Sequence, residues 1–383
     1  MAITIKSAPQ ASAYLSANED IWHVVDSSIK NIVGFKYLFD IYRDGNLLTR
    51  ITNSPYGDDD YGVINVGNIV RSGVSVDTLG DLDMSTSFTG SYGVLNAASG
   101  YWFTEYDVRY GEVSGFTNLG APIIIENSAS GTYRVYNTYN RHELHNSGAA
   151  LSSGTVFLTN RPNESTYYSG EPVILSISGK RVSVGTSLSV NILNNSTTYT
   201  RSFNSIDGLH YFSINNLSGD SVVDVSSSLV VLASKNLKQK CSKYTPYTLV
   251  FLNAYGAWDS FTFVNGNISM DNEKKKFEQM EYRLSGFNMV NKTGKVKYEG
   301  MRTYGSDFKT KMKLSTDILN TDEYKWLFEL IVSPLVYFWD KQNSLFHPVQ
   351  ITNSNYEMKN SLQFKAETLD VNIEIYKQNT QYR

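Results

Sequence analysis

The chain has 383 residues, more than one hydrophobic core of ordinary size holds, so two or three domains are expected. Its 34 Lys and Arg against 37 Asp and Glu leave a net charge of −3, which excludes a whole-chain field that draws the protein to nucleic acid or membrane. The single cysteine, Cys241, excludes an intramolecular disulfide and points to synthesis in a reducing compartment.

No run of 18 apolar residues exists, and no long apolar stretch follows a positive N-terminus. Neither membrane spanning nor secretion by signal peptide is expected. The 27 Tyr and 18 Phe, set among Ser, Thr and Asn, suit strands and polar turns. The fold class expected is mainly β and multidomain: two antiparallel β-sandwich-like domains, then a C-terminal α+β domain with one clear helix.

Residues 1–18 are small, polar and proline-containing, and read as an extended arm that gains order only against something else. Residues 19–115 read as an N-terminal β domain. Its first strand is 21–25, followed by a hairpin in which Phe35, Tyr37, Phe39 and Ile41 share a face, Asp44-Gly45 makes the turn and 47–51 pairs back. Residues 54–60 form a loop, 62–70 a strand or short helix, and 101–113 a strongly alternating strand that closes the domain near 115.

Residues 116–240 show short strands at even spacing, at 122–125, 133–136, 156–159, 172–177, 188–193, 211–214 and 221–231, separated by Gly, Asn and Ser turns. That rhythm predicts an immunoglobulin-like sandwich, without the cysteine pair of a true immunoglobulin domain.

The C-terminal domain, 241–383, opens with the stretch around which the chain is organised, YTPYTLVFLNAYGAWDSFTF at 244–263. Tyr247, Leu249 and Phe251 alternate with Thr248, Val250 and Leu252, a strand apolar on both faces. Asn253 to Gly256 supply a turn, and 258–263 return, so a core hairpin is predicted. Residues 271–314 then carry 11 Lys or Arg against 6 Asp or Glu, and read as long strands with solvated faces at 294–304 and 307–314. Asn320 with Glu323 three residues on makes a capping box, Tyr324, Leu327, Phe328 and Ile331 follow at helical spacing, and Ser333-Pro334 stops the run. A helix over 321–332 is predicted. Strands follow at 335–339, 345–352, 356–365 and 368–376, the last apolar on one face only, with an edge that needs cover.

Four groups invite a chemical reading. Arg141-His142-Glu143-Leu144-His145 clusters two histidines, but they stand three apart in a turn-rich context, not four apart on a helix, so a polar surface turn is expected instead of a zinc site. Asp58-Asp59-Asp60 offers hard oxygen ligands for calcium without the spacing of a binding loop, and reads as solvated. Glu105, Asp107, Glu112 and Asp259 are the acids a glycoside hydrolase would pair across a cleft, and nothing in the sequence builds the cleft. The lysines at 274–276, with Arg283, Lys292, Lys295, Lys297, Lys309, Lys311 and Lys313, suit DNA phosphates or, more often, a solvated face or an acidic partner. No catalytic, cofactor or metal-binding residue is therefore assigned, and no enzyme activity is expected.

Five stretches taken together resemble tail or neck proteins of tailed bacteriophages that infect Bacteroidetes, the crAss-like group among them. They are GFKYLFDIYRDG (34–45), FLTNRP (157–162), KCSKYTPYTLVFLNAYGAWDSFTF (240–263), WLFELIVSPLVYFWD (326–340) and HPVQIT (347–352). The resemblance implies a virion structural subunit, made in the host cytoplasm, forming an oligomeric ring in the tail, neck or baseplate. It implies as partners identical subunits, other virion tail or neck proteins and DNA passing through the lumen without specific binding, and it implies no membrane. Gly256, Trp258, Asp259, Phe261 and Phe263 would hold a hairpin in that role. Composition alone fits a carbohydrate-binding or adhesin-type sandwich, such as a receptor-binding tail component, equally well.

Overall fold

The computed structural model describes residues 3–10, 15–74, 92–96, 102–116, 122–138, 156–178, 187–194, 197–204, 208–214, 219–227, 230–279, 282–285, 288–291, 300–352 and 368–375. The protein is mainly β, built of several largely antiparallel sheets.

The first part holds β1 (Thr4–Ser7), β2 (Leu15–Ser16), β3 (Trp22–Asp26), β4 (Lys36–Arg43), β5 (Asn46–Asn53), β6 (Gly62–Asn65), the short helix α1 (Gly67–Arg71), β7 (Tyr92–Asn96), β8 (Phe103–Phe116) and β9 (Pro122–Tyr136). Two sheets, ordered β1-β3-β6 and β2-β9-β8-β4-β5, share one core. Alternation sends Tyr37, Phe39 and Ile41 of β4 into it, beside Tyr106, Val108 and Tyr110 of β8 and Val25 of β3. Asp44 and Gly45 both take positive φ, 50° and 81°, as the two-residue turn of the predicted hairpin requires.

Two expectations change here. The segment read as a loose arm over 1–18 supplies β1, which pairs antiparallel with β3, and β2, which pairs parallel with β9. Ile3 and Ala17 are buried in the core between the sheets. Two apolar residues fourteen apart show no periodicity, so nothing local marks them as core. Second, the boundary expected near 115 falls inside a hairpin, because β8 and β9 pair over most of their length. Residues 122–125 and 133–136, read as two strands of the middle domain, belong to this one long strand of the N-terminal sheet.

The middle part holds β10 (Glu164–Tyr168), β11 (Val173–Ser178), β12 (Ser187–Asn194), β13 (Thr197–Asn204), β14 (Gly208–Ile214), β15 (Ser221–Ser227) and β16 (Val230–Lys240). Sheets ordered β10-β16-β15-β12-β13 and β11-β14-β7 sandwich a core that includes Val173, Leu175, Ile177, Val190, Ile192, Val223 and Val225. The single strand read over 221–231 is two, β15 and β16, joined as a hairpin. β10 pairs parallel with β16, a departure from the all-antiparallel expectation. β7, from the first third of the chain, pairs with β14.

The last part holds β17 (Tyr247–Leu252), β18 (Trp258–Phe263), β19 (Asn265–Gln279), β20 (Tyr282–Ser285), β21 (Asn288–Asn291), β22 (Gly300–Ser315), α2 (Thr321–Val332), β23 (Val336–Asp340), β24 (Leu345–Ile351) and β25 (Asp370–Ile375). Its main sheet runs β18-β17-β23-β24-β25-β22-β19. Only Val264 separates β18 at one edge from β19 at the other, so one bent strand serves both edges and the sheet is curled. The apolar face of α2 packs Tyr324, Leu327 and Leu330 on Phe251, Phe263, Leu314 and Val371 of that sheet. The helix has the predicted limits and the predicted capping box: Asn320 Oδ1 accepts from Glu323 N–H at 2.7 Å, and Glu323 Oε2 accepts from Asn320 N–H at 3.3 Å.

β25 alternates as expected at Val371 and Ile373, which are buried, and at Asp370 and Asn372, which are exposed, but Glu374 is buried as well and meets Lys309. The strand is no edge, however, because β24 and β22 flank it. The strands expected at 294–304 and 307–314 are, from Gly300 onward, the single strand β22. Residues 294–299 and the strand expected at 356–365 lie outside the described residues.

Candidate functional site

The central hairpin, β17 and β18, is where the three parts of the chain meet. β18 is buried along its whole length, and so is β11, which lies against it. Val173, Leu175 and Ile177 of β11 face the middle sandwich, whereas Ile174 joins a second core with Trp102, Phe103 and Tyr136 from the N-terminal sheets and Val250, Leu252, Trp258 and Trp339 from the C-terminal one. One apolar cluster therefore draws on all three parts.

The turn between β17 and β18 is bonded to each of them. Trp102 Nε1–H donates to the Tyr255 carbonyl at 3.0 Å, Asn253 Nδ2–H donates to the Leu158 carbonyl at 2.8 Å, and Ala254 N–H donates to Glu329 Oε2 of α2 at 3.0 Å. Gly256 has φ 66°, and a Cβ there would collide with the Asn137 carbonyl oxygen, so glycine is required twice over.

Beneath the hairpin lies a buried polar cluster assembled from distant sequence. Asp259 Oδ2 accepts from Thr159 Oγ1 at 2.6 Å and from Trp326 Nε1 at 2.9 Å. Burial holds its carboxyl above the usual carboxylate range, against those two hydrogen bonds. The Arg161 guanidinium lies 5.0 Å from the centre of the Trp326 ring and donates to Ser165 Oγ, Thr166 O and Ser260 O. Burial lowers its pKa, while Asp259 and Glu323 act the other way. Lys235 donates to the Arg161 carbonyl and is pushed down to about 8 by the same loss of water.

Two glutamates of α2 reach out of the C-terminal sheet into the middle sandwich. Glu323 Oε1, besides its capping role, accepts from Thr166 N–H at 2.8 Å and Thr166 Oγ1 at 2.9 Å. Glu329 Oε1 accepts from Asn160 Nδ2 at 2.6 Å. The arrangement fixes one set of sheets to the next through charge-assisted hydrogen bonds in a dry setting, where each is strong and each omission is costly.

Burial pushes Glu329 up from the ordinary 4.5 to about 7, opposed by the hydrogen bonds it accepts and helped by nearby Asp259. The folded state thus binds this proton more tightly than the unfolded chain, and its contribution to stability declines as pH rises from 4.5 to 7. The difference amounts to roughly 3 kcal/mol over that window. Chemical denaturation of wild type and Glu329→Gln at pH 4.5, 6 and 8 is expected to show the variant gaining on wild type as pH rises. Parallel pH profiles would show that Glu329 titrates normally.

The acids weighed as a hydrolytic pair do not converge. Glu105 meets Arg134 at 2.7 Å on the N-terminal sheet, and Glu112 is buried in that sheet, accepting from Ser27 Oγ at 2.5 Å. Asp259 lies in the junction. Asp59 and Asp60 contribute backbone carbonyls to Lys30 and Tyr37, and among the described residues no group of three or more His, Cys, Asp or Glu is placed to hold a metal ion. Residues 141–145 lie outside the described residues, as do Lys292, Lys295 and Lys297. Three lysines of the basic run are matched across the sheet: Lys309 bridges Glu374 at 2.9 Å, Lys311 bridges Asp271 at 2.5 Å and Lys313 bridges Asp370 at 2.9 Å. Lys311 and Lys313 line an open recess of about 370 Å³ with Asn267, Ser269 and Asn372, and no aromatic ring among the described residues lines it.

Of the junction, Asp259, Trp258 and FLTNRP stand out in the sequence, but nothing there places them in contact. Nothing in the sequence marks His23 as a core group either: the ring is fully buried, 2.7 Å from the Tyr110 hydroxyl, and burial lowers its pKa to about 4.

No family model matches the chain, and no curated protein does. Among solved structures, the BSP domain of a biofilm-associated protein aligns over 83% of this chain at 10% identity with a TM-score of 0.16, and this chain spans 64% of that one's length. Immunoglobulin domains 1–4 of Sidekick-1 align over 82% of this chain and 94% of that one, again at 10% identity and a TM-score of 0.16. Similarity at that level lends no weight to any reading of function.

Proposed function

We propose that this protein is a virion structural subunit that builds an oligomeric ring in the tail, neck or baseplate of a bacteriophage, working by shape and stiffness and not by catalysis. The observation that carries the reading is the junction. Three sets of sheets are locked through one hairpin, one shared apolar cluster and a buried network of Arg161, Lys235, Asp259, Glu323 and Glu329. Such a junction resists the relative movement that separate modules on linkers permit, and passing force from one neighbour to the next needs that resistance. The five stretches that resemble phage tail and neck proteins support the same role.

In this reading the partners are identical subunits and other virion tail or neck proteins. DNA passes through the lumen without specific contacts, consistent with Lys309, Lys311 and Lys313 being engaged by carboxylates. The purified protein is expected to form closed rings in negative-stain images. A monomer at all concentrations that binds glycans on an array would replace this reading with that of a carbohydrate-binding adhesin.

A further inference from the structure

Among the described residues, the three most exposed large apolar side chains of the C-terminal part, Met270, Met301 and Tyr304, stand on one two-stranded ribbon. β19 and β22 form a ribbon of fifteen and sixteen residues whose register runs from Asn265↔Ser315 to Gln279↔Gly300. Ile268, Met270, Phe277, Met301 and Tyr304 all stand exposed on it, Met270 at 70% and Met301 at 67%. Ile268 lies opposite Met312, and Gly266 opposite Leu314, both of which are buried. On the face that Met312 and Leu314 turn to the core, Ile268 and Met270 therefore carry apolar side chains past the end of the core itself.

The ribbon's edges are open as well. Among the described residues β19 pairs with β22 alone, and β25 covers β22 only over Thr310–Ser315. Along 271–279 and 300–309, a length of about 30 Å, no described strand covers either outer edge of the ribbon. Natural proteins blunt such edges with short strands, charged side chains, bulges or cover. Here one bulge, at Lys275/Lys276, interrupts the run, and the exposed Lys274 and Lys276 stand beside it.

We propose that this ribbon is the surface through which copies of the chain join, the open edge of β19 in one copy pairing with the open edge of β22 in the next. The inference rests on the ring reading above and names its contact. The choice of a second copy follows from there being two open edges. A foreign strand satisfies one and leaves the other bare, and two β19 edges pairing with each other leave both β22 edges bare. Head-to-tail pairing of identical ribbons around a closed ring leaves none. Main-chain hydrogen bonds then supply the attachment, and the exposed methionines and aromatics of adjacent ribbons cover one another on the two faces.

Single-cysteine chains test this, since a lone thiol cannot close a bridge within its own chain. In a Cys241→Ser background, Lys274→Cys or Lys276→Cys on β19 is co-expressed with a differently tagged chain carrying Thr303→Cys on β22. All three positions are exposed, and unchanged melting of each chain checks that the fold is intact. Mild oxidation is expected to give a disulfide-linked dimer carrying both tags in at least one combination, and none when either chain is expressed alone. Rings without mixed dimers would place the contact on another surface and leave the ring reading standing. Dimers from a β19 variant alone would show edge-to-like-edge pairing and overturn the inference. Neither rings nor dimers would remove both it and the ring reading.

Discussion

Trp258→Ala is expected to lower stability by about 3–5 kcal/mol, the range for removing a large aromatic from a core that cannot collapse around the gap. Trp258 is 1% exposed, its ring centre lies 5.6 Å from that of Tyr337, and its cluster includes residues from all three parts of the chain. Its carbonyl also accepts from Ser176 Oγ at 3.2 Å, so a shift of β18 disturbs β11. The loss should therefore appear throughout the molecule and not in the C-terminal sheet alone. Urea titration followed by hydrogen exchange reads both the size and the spread. A midpoint equal to wild type would show that the hairpin is not the core of the junction.

Removing residues 2–18 is expected to destabilise the N-terminal sheets severely, where the sequence alone had suggested a monomer indifferent to the loss. The deletion strips β1 from β3 and β2 from β9, baring two strand edges. It also withdraws Ile3, whose burial is worth about 1.5–3 kcal/mol, and the bonds from Ser16 and Asn18 to the Thr138 carbonyl and from Arg71 to the Ala17 carbonyl. Calorimetry of the truncated protein should show the N-terminal transition lowered or absent. An unchanged transition would mean that these strands dock without contributing to the fold.

The contrast between these two regions explains what was legible beforehand. The 36–53 hairpin and the helix over 321–332 were readable because their signals are local: an Asp-Gly turn between alternating strands, and a capping box ahead of i, i+3, i+4 apolar spacing. β1 and β2 are short, and their partners lie up to about 120 residues away, so only the folded register reveals them. The boundary near 115 failed for a related reason: an alternating strand that ends there looks the same whether it closes a domain or pairs with the next strand, and only the folded register shows β8 pairing with β9. The junction was half visible. Asp259 stood out as an acid in an apolar strand, but its partners Thr159 and Trp326 come from segments 100 and 67 residues away.

β7 carries a consequence for the order in which the protein is made. It leaves the ribosome with the N-terminal sheets, yet its partner strand β14 begins at Gly208, more than 100 residues later. At about 5–20 residues per second, that separates the two strands by roughly 6–20 seconds of synthesis. During that interval the N-terminal sheets can close while β7 waits unpaired, and the β11-β14-β7 sheet of the middle sandwich forms only when β14 emerges to claim it. A fragment that begins after residue 138 lacks one strand of that sandwich for good. The three parts of this chain thus share a timetable as well as a core, and expressing the middle one by itself amounts to starting translation too late.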